Sequence, residues 1–148
     1  SRGCGPSANL DNSGAVRKGP NMIKTLIIVA SGGALGAGLR FLWGVGLYRF
    51  FGAPVSFPVA ILSANVLGSF LMGVFVVLAA QRGLTHYNPF VMTGLLGGFT
   101  TFSAFSLETV TLMERGAVGQ AALYVCLSVG LSIAGLMAGL WLMRGVLA

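Results

Sequence analysis

From residue 22 onward the apolar positions form long unbroken blocks. They do not follow the 3.6- or 2-residue alternation of a half-buried soluble helix or strand. Four such blocks cover about 23–47, 58–80, 89–113 and 118–143. Each holds the roughly 20 residues a helix needs to cross ~30 Å of hydrocarbon. The pattern predicts an all-α integral membrane fold, one domain over 22–148 with four transmembrane helices. The intervening YRFFGAPVSF, QRGLTHYN and ERGAVG are short, and each carries glycine, proline or asparagine. Sequential spans are therefore expected to be antiparallel neighbours. Residues 1–21 are polar, aperiodic and rich in glycine, serine, asparagine and proline. They read as a disordered tail, or as an extension ahead of a start at Met22. The apolar stretch that follows is too long for a signal peptide.

The third block is interrupted. GLLGGFTTFSAF, Gly94 to Phe105, places Gly97-Gly98 ahead of Thr100-Thr101. Glycine weakens a helix interior by about 1 kcal/mol, and β-branched threonine is only a moderate helix former. A broken helix persists in lipid only where its freed backbone groups find partners. The break is thus a candidate cation site, with carbonyls of Gly97 and Thr100 suited to a hard ion such as Na⁺. It reads also, and on local physics first, as a packing kink with threonine hydroxyls bonded to the preceding turn. Phe102 and Phe105, three apart, share a helix face. They are either core residues or ring edges presented to an anion, since the edge of an aromatic ring is its positive part. The hydroxyls of Thr101 and Ser103 would supply donors beside them.

Asn65 lies in the middle of the second block, where a polar group is expensive and either functional or paired across helices. Its amide NH₂ suits an anion, and equally a backbone carbonyl. Ser63 and Ser69 are expected to bond within their own helix. Tyr124, Ser128 and Ser132 at four-residue intervals make one stripe of hydroxyls on the fourth span. Such a stripe faces water or a helix neighbour. Arg40 either snorkels to the interface or lines an anion vestibule. Glu108 is the one acid inside a span, near its far end, and His86 reads as a linker surface residue.

Composition narrows the class. The chain is 55% hydrophobic and 8% charged, with mean hydropathy +0.88, too few polar residues to coat a soluble domain. The net charge of +6 comes from scattered basic residues, which argues against nucleic acid as a partner. Cys4 and Cys126 make no disulfide framework, and no nucleophile–base set, metal-ligand cluster or phosphate loop points to an enzyme. Pairs of small residues four apart (Gly32/Gly36, Ala64/Gly68, Gly94/Gly98, Gly135/Gly139) predict close helix packing. Four spans are too little protein to surround a pore, so an oligomer is expected. Beyond residue 21, Lys24, Arg82 and Arg144 fall on one side of the membrane, and Arg40, Arg49 and Arg115 on the other. The positive-inside rule has no bias to act on, and insertion in both orientations is open.

GLLGGFTTFSAFSLE, together with ANVLGSFLMG and GGALGAGLRF, resembles the Fluc (CrcB) family of fluoride channels, and the likeness runs from Met22 to the C-terminus. The resemblance implies an antiparallel, dual-topology homodimer in the lipid bilayer of a bacterial inner membrane. It implies two fluoride pores along the subunit interface and a structural Na⁺ at the dimer centre, held by carbonyls of Gly97 and Thr100. Asn65, Phe102, Phe105, Tyr124, Ser128 and Ser132 would line the fluoride path, with Thr101 and Ser103 beside them and Arg40 in the vestibule. The family's hydroxyl track can continue four residues on, but here that position is Leu136. The implied activity is passive export of fluoride, which lowers its toxicity in the cytoplasm. Two other classes stay in view. A proton-coupled exporter would want a mid-span acid in the first span, which is absent, and a non-transporting membrane subunit would not need the hydroxyl and phenylalanine motif.

Overall fold

The computed structural model describes residues 22–52 and 57–148; the expectation for residues 1–21 lies outside them. Within these residues the chain is all-helical. Helix α1 is Met22–Phe51 and α2 is Val59–Arg82. After a short 3₁₀ turn at Thr85–Tyr87 the third span comes in two pieces. Its first piece, α3, is π-helical over Pro89–Leu96 and closes with a single α-turn, Gly97–Phe99. Its second piece, α4, is Phe102–Glu114, and α5 is Val118–Val146. Four segments are long and apolar enough to cross a membrane: α1, α2, the third span over Thr85–Glu114, and α5.

Helix α1 runs on past the predicted 47 to Phe51, so Tyr48–Phe51, expected as linker, is helical. Tyr48, Arg49, Phe50 and Phe51 are exposed. They form the amphipathic end typical of the membrane–water boundary, where aromatic and basic side chains carry a helix beyond the hydrocarbon. Apolar side chains elsewhere also point outward: Ile23, Leu26, Phe41, Leu107, Ile133 and Trp141 are all exposed. In water this surface would aggregate; in lipid it is the solvent-facing side.

The helices do not pack chiefly with their neighbours in sequence. The most extensive contacts are α2 with α5 and α1 with α3, so the tight pairs are parallel and skip one span. The reason is the placement of glycine. With apolar side chains giving no preference between protein and lipid, helices settle where small residues let backbones meet. A Cβ on Gly94 would lie 2.8 Å from the Val29 carbonyl and 3.0 Å from the Gly32 Cα, so α1 and α3 touch backbone to backbone there. On the other pair, the Gly139 face of α5 meets the Phe70 carbonyl of α2. The consecutive pair α1 and α2 has fewer contacts, among them a bond from Trp43 Nε1 to Ser63 Oγ at 2.9 Å.

We predict that Gly94→Val, which forces branched carbon into the α1 backbone, destabilises the fold by about 3 kcal/mol. Gly130→Ala, where an added Cβ meets nothing within 4 Å among the described residues, should not destabilise it and should stabilise it by up to about 1 kcal/mol. Thermal unfolding in detergent micelles, followed by helical circular dichroism, checks both, and equal midpoints would count against the backbone contact.

Candidate functional site

The break in the third span organises the site. At the end of α3 the Thr100 N–H donates to the Leu96 carbonyl at 3.0 Å, and Thr100 Oγ1 donates to the same oxygen at 2.9 Å. The chain then leaves the helix. Thr100 (φ −83°, ψ 154°) and Thr101 (φ −151°, ψ 126°) are both extended. In a continuous helix the Thr101 N–H would donate to the Gly97 carbonyl. Here it donates to Asn65 Oδ1 at 2.8 Å, while Asn65 Nδ2 donates to the Thr101 carbonyl at 3.0 Å. Asn65 therefore takes the part of a paired strand, closing a two-point splint on one residue of another helix. One N–H of its NH₂ is left over. The Thr101 hydroxyl accepts the Ala104 N–H at 3.2 Å and caps α4.

Two opposite partial charges meet at the break. The C-terminal end of α3 presents carbonyls, a partial negative charge, and the N-terminal end of α4 presents amides, a partial positive one. The Gly97 carbonyl has lost its helical donor to Asn65. The residues at 97 and 100 therefore offer hard oxygen acceptors, and those at 102 and 103 begin a helix end suited to an anion.

A groove of about 350 Å³ runs from the break between α2 and α5. Of the residues expected on the ion path, it gathers Asn65, Thr101, Phe102, Phe105, Ser128 and Ser132. The Phe102 and Phe105 rings lie 5.4 Å apart, tilted by 42°, and Phe102 is 77% exposed. Phe105 stacks on Tyr124 at 5.3 Å, and Tyr124 meets Phe57 edge-on at 5.6 Å. Tyr124 is fully buried, yet its hydroxyl, like that of Ser128, makes no hydrogen bond of good geometry among the described residues. Buried donors without partners are rare, and each costs about 1–3 kcal/mol.

Other expected residues fall elsewhere. Ser103 is exposed and shares a 3.2 Å bond with the Thr101 hydroxyl, off the groove. Arg40 lines a separate cleft on α1 with Tyr48 and Arg49. Glu108 faces a third, between the end of α1 and the start of α2. Gly97 and Thr100 sit at the break, where the Thr100 hydroxyl bonds the preceding turn, as the packing-kink reading expects, while the Thr100 backbone leaves the helix.

Two residues that the sequence did not single out for function matter here. A Cβ on Gly68 would collide with the Thr100 side chain, so this glycine of the Ala64/Gly68 pair admits the break against α2. Ser63 behaves as expected, donating to the Ala60 carbonyl at 3.1 Å. Ser69 departs from expectation by lining the groove; its four-residue offset from Asn65 was the available signal.

The chain matches the family described as CrcB-like protein, Camphor Resistance, over residues 27–140. It is 72% identical over 124 residues to a protein of Roseobacter denitrificans, covering 84% of this chain and 98% of that one. It is 61% identical over 127 residues to one from Cereibacter sphaeroides, covering 86% and 100%. It is 46% identical over 123 residues to one from Agrobacterium fabrum, covering 82% and 97%. All three carry the name fluoride-specific ion channel FluC.

Asn65→Leu removes both arms of the splint and strands the Thr101 amide, while the Thr101 carbonyl keeps the first bond of α4. We predict a loss of about 2–4 kcal/mol, read as a lowered unfolding midpoint in detergent. A midpoint equal to the parent's would show that Thr101 finds other partners.

Proposed function

The chain belongs to the CrcB-like family, and from that premise we propose that it is a passive, fluoride-selective ion channel. The observation that carries this reading is the groove at the break, where an amide N–H, hydroxyls and two phenylalanine rings from three helices converge in an apolar bundle. Relatives matched over nearly their whole length are named fluoride-specific channels, and the multi-pass helical architecture suits a channel rather than an enzyme.

Fluoride is small and strongly hydrated, so entry into a dry path requires donors that replace its water. The spare Asn65 N–H and the unpartnered hydroxyls of Tyr124 and Ser128 are such donors. The positive edges of Phe102 and Phe105 add weaker attraction without a fixed charge that would hold the ion too long. Hydroxyl and amide donors here are neutral, so an anion can leave as well as enter. Arg40, in its own cleft, would raise the local anion concentration at the mouth. Efflux down the gradient from a bacterial cytoplasm, across the inner membrane, would lower fluoride exposure of enzymes inside.

Assembly belongs to the same proposal. Two copies inserted antiparallel would close the open side of the groove, and the even division of basic residues between the two faces supports such dual insertion. The carbonyls of Gly97 and Thr100 fit a hard monovalent cation, since the first has lost its helical donor and the second belongs to an extended residue. Na⁺ held there would neutralise the negative end of α3 and act structurally.

Fluoride efflux from liposomes holding only this protein, followed with a fluoride electrode and with chloride efflux as control, tests the function. Fast fluoride release with little chloride is expected, and absence of release from folded protein would overturn the reading. Phe102→Ile should slow fluoride efflux about tenfold or more with assembly unchanged; unchanged efflux would remove that ring from the path. Exchanging Na⁺ for a larger cation is expected to weaken flux or assembly, and indifference to the exchange would sink the cation site.

A further inference from the structure

Tyr124, Ser128, Ser132 and Leu136 follow at four-residue intervals and share one stripe of α5. Ser128, Ser132 and Leu136 all line the groove, so the stripe loses its hydroxyls at Leu136 while the groove continues. On the facing wall, α2 runs parallel to α5. A Cβ on Gly135 would lie 3.3 Å from the Val66 carbonyl, and one on Gly73 would meet the Leu136 carbonyl. Ser69 lies between those two contact levels on α2, and it lines the same groove one turn beyond Asn65. It thus stands across from the point where α5 turns apolar.

The hydroxyl of Ser69 is available. Ser63, Ser106, Thr109 and Thr111 each donate to a carbonyl three or four residues back in their own helix. Ser69 makes no such bond among the described residues, and it is only partly buried. Resting on the fluoride-channel reading, we infer that Ser69 is a fluoride-binding residue that takes the ion over from Ser132, so that the path crosses from α5 to α2. The Ser69 O–H donates to the ion at the level where the α5 stripe offers only the Leu136 side chain. Asn65 and Ser69, at i and i+4, then make a second donor line facing the first.

The test is fluoride efflux from liposomes holding the parent chain or a variant, with monodisperse elution in detergent as the check on folding. Ser69→Ala is expected to slow efflux about tenfold, the effect of losing one hydrogen bond to a charged group. Ser69→Thr, which keeps the hydroxyl, is expected to stay within about threefold of the parent. Adding Leu136→Thr to Ser69→Ala puts a hydroxyl back on the opposite wall and is expected to recover most of the loss. A parent that conducts fluoride with an unchanged Ser69→Ala overturns this inference alone. Equal losses in the Ala and Thr variants overturn it too, by assigning Ser69 to packing, as does a failure of Leu136→Thr to restore flux. A parent that conducts no fluoride overturns the channel reading, and this inference with it.

Discussion

An amide and a carbonyl released from a helix in the middle of hydrocarbon have no water to turn to, and each unsatisfied group costs several kcal/mol there. The third span accepts that interruption because one side chain on another helix takes up the released Thr101 amide and ties down the Thr101 carbonyl as well. Asn65 accepts from the Thr101 N–H at 2.8 Å and donates to its carbonyl at 3.0 Å. Everything distinctive about the site follows from this exchange. The Gly97 carbonyl is released, Thr101 turns to cap α4, and two helix ends of opposite polarity come to face one spot. Phe102 and Phe105 then start a new helix whose phase is independent of the one before it.

The exchange also reconciles two roles for the same residue. The amide of an intramembrane asparagine has four hydrogen-bonding positions. Two are committed to the splint, which fixes the side chain's place and orientation. A donor fixed by its other bonds loses little entropy when it meets an ion. The structural bond and the proposed contact with fluoride therefore support each other rather than compete.

Much of this was legible in the chain. Long apolar blocks located the four spans, because hydropathy is a property of each segment by itself. Gly97-Gly98 and Thr100-Thr101 located the break, because helix propensity is local too. The hydroxyl stripe of α5 followed from its spacing. What escaped was relational. The partner of Asn65 is a backbone group 36 residues away, and no local pattern encodes it. The tight pairing of α2 with α5 depends on which glycine faces match once folded, and the short linkers, which make consecutive spans antiparallel neighbours, do not encode it. The π-helical turns of Pro89–Leu96 carry no composition of their own. Ser103 was set beside Thr101 by type, and its hydroxyl bonds that of Thr101 off the groove, while Arg40, expected at an interface or vestibule, lines its own cleft on α1.

The pairing of alternate helices has a consequence for how the protein is made. Each tight pair joins a span to the one synthesised two later: α1 waits for α3, and α2 waits for α5. As the chain emerges, α2 enters the bilayer before its parallel partner α5 has been made. Its native packing therefore cannot be completed by a truncated nascent chain. Biogenesis must hold α2 in the membrane without its α5 partner until translation of α5 is finished, and a chain that stops short of Gly139 lacks the face that meets the Phe70 carbonyl of α2.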